Sequence, residues 1–505
     1  MKSFLEKSGW LVYAALNLLL LVILIGGAVA AGGSFKHLPY VALMFAVCAS
    51  PIPYIRRFND SYAMLAVMCG VYFLSFAMSD AVSMLSPSPR EPAGVPLLTG
   101  GEALILLGSL VQIAGFHAGV RIFGAGRTPA EARDWPRSLL LPVGLVIWAI
   151  GCAGSLYLSL VVQPENSNAA VAAGFSRLGV WNTTALIFIQ NYAGPLGIVI
   201  LAYWWSRWAP RGGSALMIII ICLQFAVGWV IDTKEMALSA PLVILLTRFV
   251  TTGRVPMRWL VCAALGMALA FPVMTAKRII MTEGLGLNRA QALSRTGEIL
   301  WRAIAERNVA QTGKKYEQKT QTFLQRATDK GAVEVFVAHV GVDHPYRMGS
   351  TLEPMLYAFI PRLVWSDKPG ESSAQLFNRE FRLSADRDTY ISPTHIGELY
   401  WNFGMVGVIT GMTLIGLLLG GVCGRFDQSR QTSITGVLVL IVTLYELVVR
   451  RGGQIEVEYV VWMRTLALIW LLHLWLAKRS QPAEAPAFGL EFTGVHAPRF
   501  SNLLR

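Results

Sequence analysis

About twelve apolar runs, each near the 20 or so residues that a helix needs to cross a hydrocarbon core, recur along this 505-residue chain. They begin near Trp10, Leu38, Tyr62, Gly101, Leu139, Thr183, Ser214, Met236, Trp259, His395, Thr432 and Tyr459. Lipid offers no partner to a backbone amide, so a spanning segment must be a helix or a strand of a closed barrel. These runs lack the apolar–polar alternation of barrel strands. The expectation is therefore an all-α polytopic membrane protein of about twelve transmembrane helices. Composition agrees: 54% hydrophobic residues against 14% charged, with a mean hydropathy of +0.52, excludes an ordinary soluble domain. The first run is longer than the roughly 7 to 15 apolar residues of a secretory signal, so it is read as a retained span.

The net charge of +13 records topology rather than affinity for nucleic acid. With the N-terminus inside, one set of loops carries Arg56, Arg57, Arg121, Arg127, Arg207, Arg211, Arg254, Arg425 and Arg430. The opposite short loops carry only Lys36, Arg90, Arg177, Lys234, Arg450 and Arg451. The positive-inside rule then puts both termini in the cytoplasm of a multi-pass protein. All six cysteines fall inside predicted spans, where they read as small apolar packing residues rather than a disulfide or metal framework.

The expected organisation is spans 1 to 9 over residues 1–276, a large outer loop or cap over 277–392, spans 10 to 12 over 393–479, and a disordered tail over 480–505. The loop carries 17 Lys and Arg against 13 Asp and Glu between Lys277 and Asp388, a mild excess whose sign suits an anionic ligand. Its first half reads as two or three amphipathic helices, and its second half, rich in Pro, Gly and aromatics, as a loop-built cap. No internal repeat is visible, which counts against a transporter made of two related halves.

Three constellations can carry chemistry. In "SPTHIGELYWNFGMVGVITGM", Ser392 as N-cap and Pro393 at the first position start a helix beside His395. His395, Glu398 and Asn402 then share one helical stripe at the water boundary, suited to a general base, its orienting partner and a phosphate contact, or else to plain solvation of a helix end. In "FIPRLVWSDKPG", prolines fix the backbone while Arg362 and Lys368 project toward a common side. Arg362 suits phosphate gripped by two parallel hydrogen bonds, or a structural salt bridge. Trp365, Tyr357 and Phe359 suit stacking on sugar rings or anchoring at the membrane surface. In "WVIDTKEMALSAP", Lys234 lies between Asp232 and Glu235 beside the membrane, either as an ion pair or as a cation facing the same cavity as Arg278. Arg450, Arg451, Glu456, Glu458 and Arg464 read mainly as a structural charge network.

Other signatures are absent or weak. There is no P-loop. The Asp386–Asp388 "DRD" is too short to define a metal-dependent sugar transferase. His339 and His344 stand five apart, off any common helical face, and are not expected to bind zinc.

The segments "YAFIPRLVWSDKPG" and "HIGELYWNFGMVGVITGM" resemble the Wzy-type polymerases of lipid-linked oligosaccharide repeat units, through the pattern Pro-Arg, Trp, Lys-Pro, Gly-Glu-Leu-Tyr, Asn-Phe-Gly and Gly over Tyr357 to Met412. The resemblance implies a GT-C-like membrane glycosyltransferase in the bacterial inner membrane that joins undecaprenyl-diphosphate-linked glycans at the periplasmic face by inverting, metal-independent transfer. Implied partners are a lipid-linked donor and acceptor, membrane lipid and a polysaccharide chain-length regulator. No cofactor and no nucleic acid are implied. The diphosphate would be held by Arg362, Arg278, Lys234 and Lys368, the sugars by Trp365, Tyr400 and Asn402, and the proton would pass to His395 or Glu398. The related O-antigen ligases carry a His before a Gly-x-x-Gly element. Here His395 precedes Gly404-Met-Val-Gly407 with a spacing one residue short, so a ligase-like transferase stands as an alternative. A glycolipid flippase or other transporter is the alternative from a different class.

Overall fold

The computed structural model describes residues 2–31, 35–57, 59–84, 98–124, 135–162, 189–208, 210–231, 234–254, 259–262, 274, 277, 291, 294–298, 301, 329–357, 360, 365, 372–384, 390–427, 433–449 and 454–477. Among them no β-strand occurs, only an isolated bridge between Val340 and His344. The helices are α1 (Lys2–Ala31), α2 (Leu38–Ala49), α3 (Ser61–Phe76), α4 (Met78–Met84), α5 (Gly100–Gly124), α6 (Arg137–Tyr157), α7 (Gly194–Trp208), α8 (Gly213–Ile231), α9 (Lys234–Thr252), α10 (Lys330–His339), α11 (Pro354–Tyr357), α12 (Ser373–Phe381), α13 (His395–Arg425), α14 (Ile434–Leu444) and α15 (Ile455–Ala477).

Six helical segments are long and apolar enough to cross a membrane: Gly9–Ala30, Gly100–Gly124, Arg137–Val161, Gly213–Ile231, His395–Arg425 and Ile455–Ala477. The pair α3 and α4, bent by 53°, makes a seventh when the two are counted as one broken span. Large apolar side chains stand exposed along them, such as Leu110 and Ile122 on α5, Val406 and Leu414 on α13, and Trp470 and Leu471 on α15. Helices apolar toward both the bundle and the outside belong in lipid. Three further expected spans are shorter apolar helices: Leu38–Tyr54, Ser239–Thr252 and Ile434–Val449. The expected span near Thr183 begins outside the described residues and continues through the π-helix Ile189–Ala193 into α7, whereas the one near Trp259 lies largely outside them, as does the tail from 478 onward.

The centre of the bundle is the contact between α5 and α13. Gly115 lies against Thr413, Gly119 against Leu417 and Gly124 against Gly424, so residue numbers rise together and the helices run parallel. A Cβ at Gly416 would collide with the carbonyl of Gln112, and one at Gly420 with the carbonyl of Phe116. With no hydrophobic drive between helices in lipid, such backbone-to-backbone approach is what holds them together. The parallel alignment puts Glu102 and His395 at one end of the bundle and Arg121 and Arg425 at the other.

At the Glu102 and His395 end the loop residues form a roof. Helix α10 lies across the starts of α5 and α13: Glu334 and Val337 rest on Gly101 and Gly100, and Phe336 rests on Gly397. Phe336, Phe377, Phe381 and Trp401 make one aromatic cluster, with Phe336 stacked on Phe377 at 4.3 Å and on Trp401 at 5.2 Å. Thus α10, α12 and the first turns of α13 share a core outside the main bundle. Of the expected amphipathic helices, α10 is described.

Two local features of α13 differ from expectation. Its N-cap is Thr394 rather than Ser392: the Thr394 hydroxyl accepts the Gly397 N–H at 3.1 Å, while Ser392 Oγ accepts the Thr394 N–H at 3.2 Å. Pro393 therefore precedes the cap and is not the first helical residue. In addition, Gly404 breaks the helix, with φ +62° and ψ −149°. The break frees the carbonyls of Trp401 and Asn402, which instead accept the N–H groups of Arg347 and Met348, each at 3.0 Å.

Candidate functional site

The first turns of α13 bring His395 and Glu398 under the roof, 3% and 0% exposed respectively. Each meets a partner from α15, not the other. His395 Nε2 lies 2.7 Å from a Glu458 carboxylate oxygen. Glu398 accepts the Ile455 N–H at 2.9 Å, placing a carboxyl on the N-terminus of α15, where backbone amides and the helix dipole favour it. Beside Glu398 lies the carboxyl of Glu456, which accepts the backbone N–H and the hydroxyl of Ser373 at 3.1 and 3.2 Å, at the start of α12. Two helix N-termini thus serve two apposed carboxyls.

With Glu458 accepting from Nε2–H, the free lone pair of the imidazole falls on Nδ1. That nitrogen is buried with no hydrogen-bond partner among the described residues. Buried polar atoms are normally paired, so this acceptor marks a place where a proton donor fits. The arrangement can take a proton from a hydroxyl at His395 Nδ1, with Glu458 orienting the ring and balancing the charge that develops. The orienting carboxylate comes from α15, so Glu456 and Glu458, read from sequence as a structural network, join the site.

Asn402 is 0% exposed and engaged at both ends of its amide. Its Nδ2 donates to Thr351 Oγ1 at 2.7 Å and to the Glu398 carbonyl at 2.8 Å, and its Oδ1 accepts the Gly349 N–H at 2.9 Å. It clamps the 347–351 loop onto α13. Tyr400 is half-buried, with its ring edge-on to Tyr346 at 6.4 Å. Trp365 is exposed and makes an edge contact with Tyr357 at 5.3 Å. Arg362, Lys368 and Arg278 lie outside the described residues, as does the side chain of Lys234, whose backbone begins α9. Lys277, next to Arg278, is buried, donates to the Trp229 carbonyl and sits 4.8 Å from the Trp229 ring centroid.

A second buried polar centre holds the roof down. Lys330, the first residue of α10, donates to Asp80 at 2.8 Å and to Glu102 at 2.5 Å, with Glu334 at 3.6 Å and the Tyr40 ring at 5.0 Å. Burial pulls the Lys330 ammonium toward neutrality, but the hydrogen bonds to Asp80 and Glu102 outweigh it and hold the group above its ordinary 10.5. Glu102 also closes a capping box: its carboxylate accepts the Thr99 N–H at 2.8 Å, and Thr99 Oγ1 accepts the Glu102 N–H at 3.1 Å. The Thr99-Gly-Gly-Glu102 spacing is the sequence signal by which this helix start, though not its cation, can be found. A third missed group is Glu446, buried in the π-helix Tyr445–Val449 and lining a small cavity with Tyr192 and Thr465. π-Helical turns and intramembrane carboxyls both concentrate at functional positions.

Residues 260–480 match a family model described as a domain of unknown function, DUF8712. Neither a curated protein nor a solved structure matches the chain. The matched segment contains His395, Glu398, Glu456 and Glu458, and excludes Asp80 and Glu102.

Proposed function

We propose that the chain is a membrane glycosyltransferase of GT-C-like architecture with about twelve spans, which polymerises undecaprenyl-diphosphate-linked oligosaccharide repeat units at the periplasmic face of a bacterial inner membrane, both termini being cytoplasmic. The observation that carries it is the His395–Glu458 pair at the end of a spanning helix, with Nδ1 left as a buried acceptor beneath an extramembrane roof. His395 Nδ1 takes the proton of an acceptor sugar hydroxyl as its oxygen attacks the anomeric carbon of the donor. The carbon–oxygen bond to the diphosphate breaks on the opposite face, which inverts the centre. Arg362, Arg278, Lys234 and Lys368 are assigned to the departing diphosphate, where each hydrogen bond to a charged oxygen contributes about 1.5 to 3 kcal/mol. Charge on the leaving group is thereby met by cations, and Trp365 and Tyr400 are assigned to the sugars. The near-complete burial of His395 makes parting of the roof a necessary step.

The test supplies purified, folded protein with a lipid-linked repeat unit. Lengthening of the glycan, lost with His395→Ala, is expected. An unextended glycan alongside a modified lipid A core acceptor moves the protein to the ligase class. Burial of Glu102, Glu398, Glu456 and Glu458 inside spanning helices favours one further reading, a proton-coupled glycolipid transporter. That reading predicts lipid-linked sugar crossing sealed vesicles with no new glycosidic bond.

A further inference from the structure

His339 ends α10, and the chain then reverses within five residues. The Val342, Asp343 and His344 N–H groups all point at the His339 carbonyl, each at 3.1 Å, and the Gly341 N–H donates to the His344 carbonyl at 2.7 Å. Gly341 sits at φ +84°, where a Cβ would also stand 2.8 Å from the Tyr346 hydroxyl, so the turn is specific to glycine. Val340, in the middle, is buried in the aromatic cluster of the roof. The reversal places two imidazoles and a carboxylate together although no helical face joins them. His339 Nδ1 is 2.9 Å from one Asp343 oxygen, His344 Nδ1 is 3.0 Å from the other, and all three donor atoms lie within 4.8 Å of one another.

We propose that His339, Asp343 and His344 form a binding site for a divalent first-row transition ion, with Zn²⁺ the ion best suited to the donor set. Zinc takes imidazole nitrogen and carboxylate oxygen at about 2.0 to 2.2 Å, usually in tetrahedral sets. Three such bonds to one ion space the donors by roughly 3.3 to 3.6 Å, so the two imidazole–carboxylate contacts of 2.9 and 3.0 Å open by a few tenths of an ångström as the ion enters. Binding exchanges each Nδ1–H···O hydrogen bond for an Nδ1–metal bond, with the ring proton carried on Nε2. Water fills the fourth position. The rings are already oriented: Phe381 stacks on His344 at 4.6 Å and tilts toward His339 at 6.0 Å. The side chains of His339 and Asp343 are about half exposed, so the ion enters from solvent. An ion here ties the end of α10 to the turn that follows it, with His344 stacked on Phe381 of α12. The other group of suitable donors, His37, Asp80 and Glu102, differs in a decisive way: the Lys330 ammonium already lies between Asp80 and Glu102. The proposal is independent of the glycosyl-transfer reading.

The test uses full-length protein without a histidine tag, freed of metal and titrated with Zn²⁺ by calorimetry and with Co²⁺ by visible absorption. One equivalent of ion, with Co²⁺ ligand-field bands, is expected for the native chain and for His37→Ala. Binding should be lost in the His339→Ala/His344→Ala double variant and weakened in Asp343→Asn, which keeps the side-chain size. Protection of His339 and His344 from diethylpyrocarbonate by Zn²⁺, read by mass spectrometry on the native chain, gives the same answer without any variant. No stoichiometric ion, binding that survives the double substitution, or modification of both histidines unchanged by Zn²⁺ would overturn the proposal.

Discussion

His395 and Glu458 are 63 residues apart in sequence, yet the imidazole Nε2 and a carboxylate oxygen meet at 2.7 Å in the buried space between α13 and α15. A histidine held this way has one nitrogen committed and one free. The distinction has consequences for which substitutions abolish activity and which merely misplace it.

Under the proposed polymerase chemistry, His395→Ala should lower glycan extension by about 10²- to 10⁴-fold, the usual contribution of a positioned base. Glu458→Gln should produce a loss within the same range with protein level and thermal stability retained, because it keeps volume while removing the charge that orients the ring. Initial rates with a lipid-linked repeat unit, alongside a stability measurement, check both. Full activity in His395→Ala would remove the base from this position.

Lys330→Met should destabilise the protein by about 3 to 5 kcal/mol, since it leaves Asp80 and Glu102 buried without their cation. The same ion group fixes a pH dependence. The Lys330 value is raised in the fold, so its stabilisation is complete below the ordinary 10.5 and is lost as pH climbs through the folded value. Unfolding temperatures in detergent between pH 7 and pH 12 should therefore fall at the alkaline end, and fall less steeply in Lys330→Met. A slope identical in the two proteins would contradict the assignment.

Gly404→Ala should cost about 1 to 3 kcal/mol, because φ +62° with ψ −149° is open only to glycine. Thermal unfolding measures it. Gly407→Ala is a useful companion, as a Cβ there would meet the Leu399 carbonyl at 2.5 Å without any positive φ.

Gly420→Ile should lose folded protein altogether or cost at least about 1 to 3 kcal/mol, since α5 and α13 cannot approach over a branched side chain. Size-exclusion profiles in detergent report it. Substitutions at lipid-facing Leu414, by contrast, should be silent when apolar.

Exposed Val342 and Met348 in the roof supply a test of orientation. A single cysteine at either position, in a background without the six native ones, should react with a membrane-impermeant thiol reagent in intact cells if the roof is outside. Reaction only after permeabilisation would invert the expected topology.

Much of the architecture is legible in the chain itself. Six of the twelve apolar runs return as helices long and apolar enough to cross a membrane, and the start of α13 falls within two residues of the position read from Ser392 and Pro393. The polar stripe of His395, Glu398 and Asn402 is also found buried on that helix, but its chemistry depends on residues that periodicity cannot supply. Glu458, Glu456 and Ser373 come from other helices, and Asp80 and Lys330 are 250 residues apart. Local patterns specify a face, whereas the partner of a buried charge is chosen by which helix ends converge. The break at Gly404 is hidden for another reason: in a run already rich in glycine for close packing, one more glycine carries no distinguishing mark. His339 and His344 show the same limit, for a turn joins what helical spacing keeps apart.

The interruption at Gly404 divides α13 mechanically. Its membrane-crossing part is locked to α5, while the short segment ahead of the break lends its last carbonyls and the Asn402 amide to the 347–351 loop. Since Ile396 ahead of the break also packs on Gly108 of α5, the turns that carry His395 are gripped from two sides, by the loop and by the neighbouring helix.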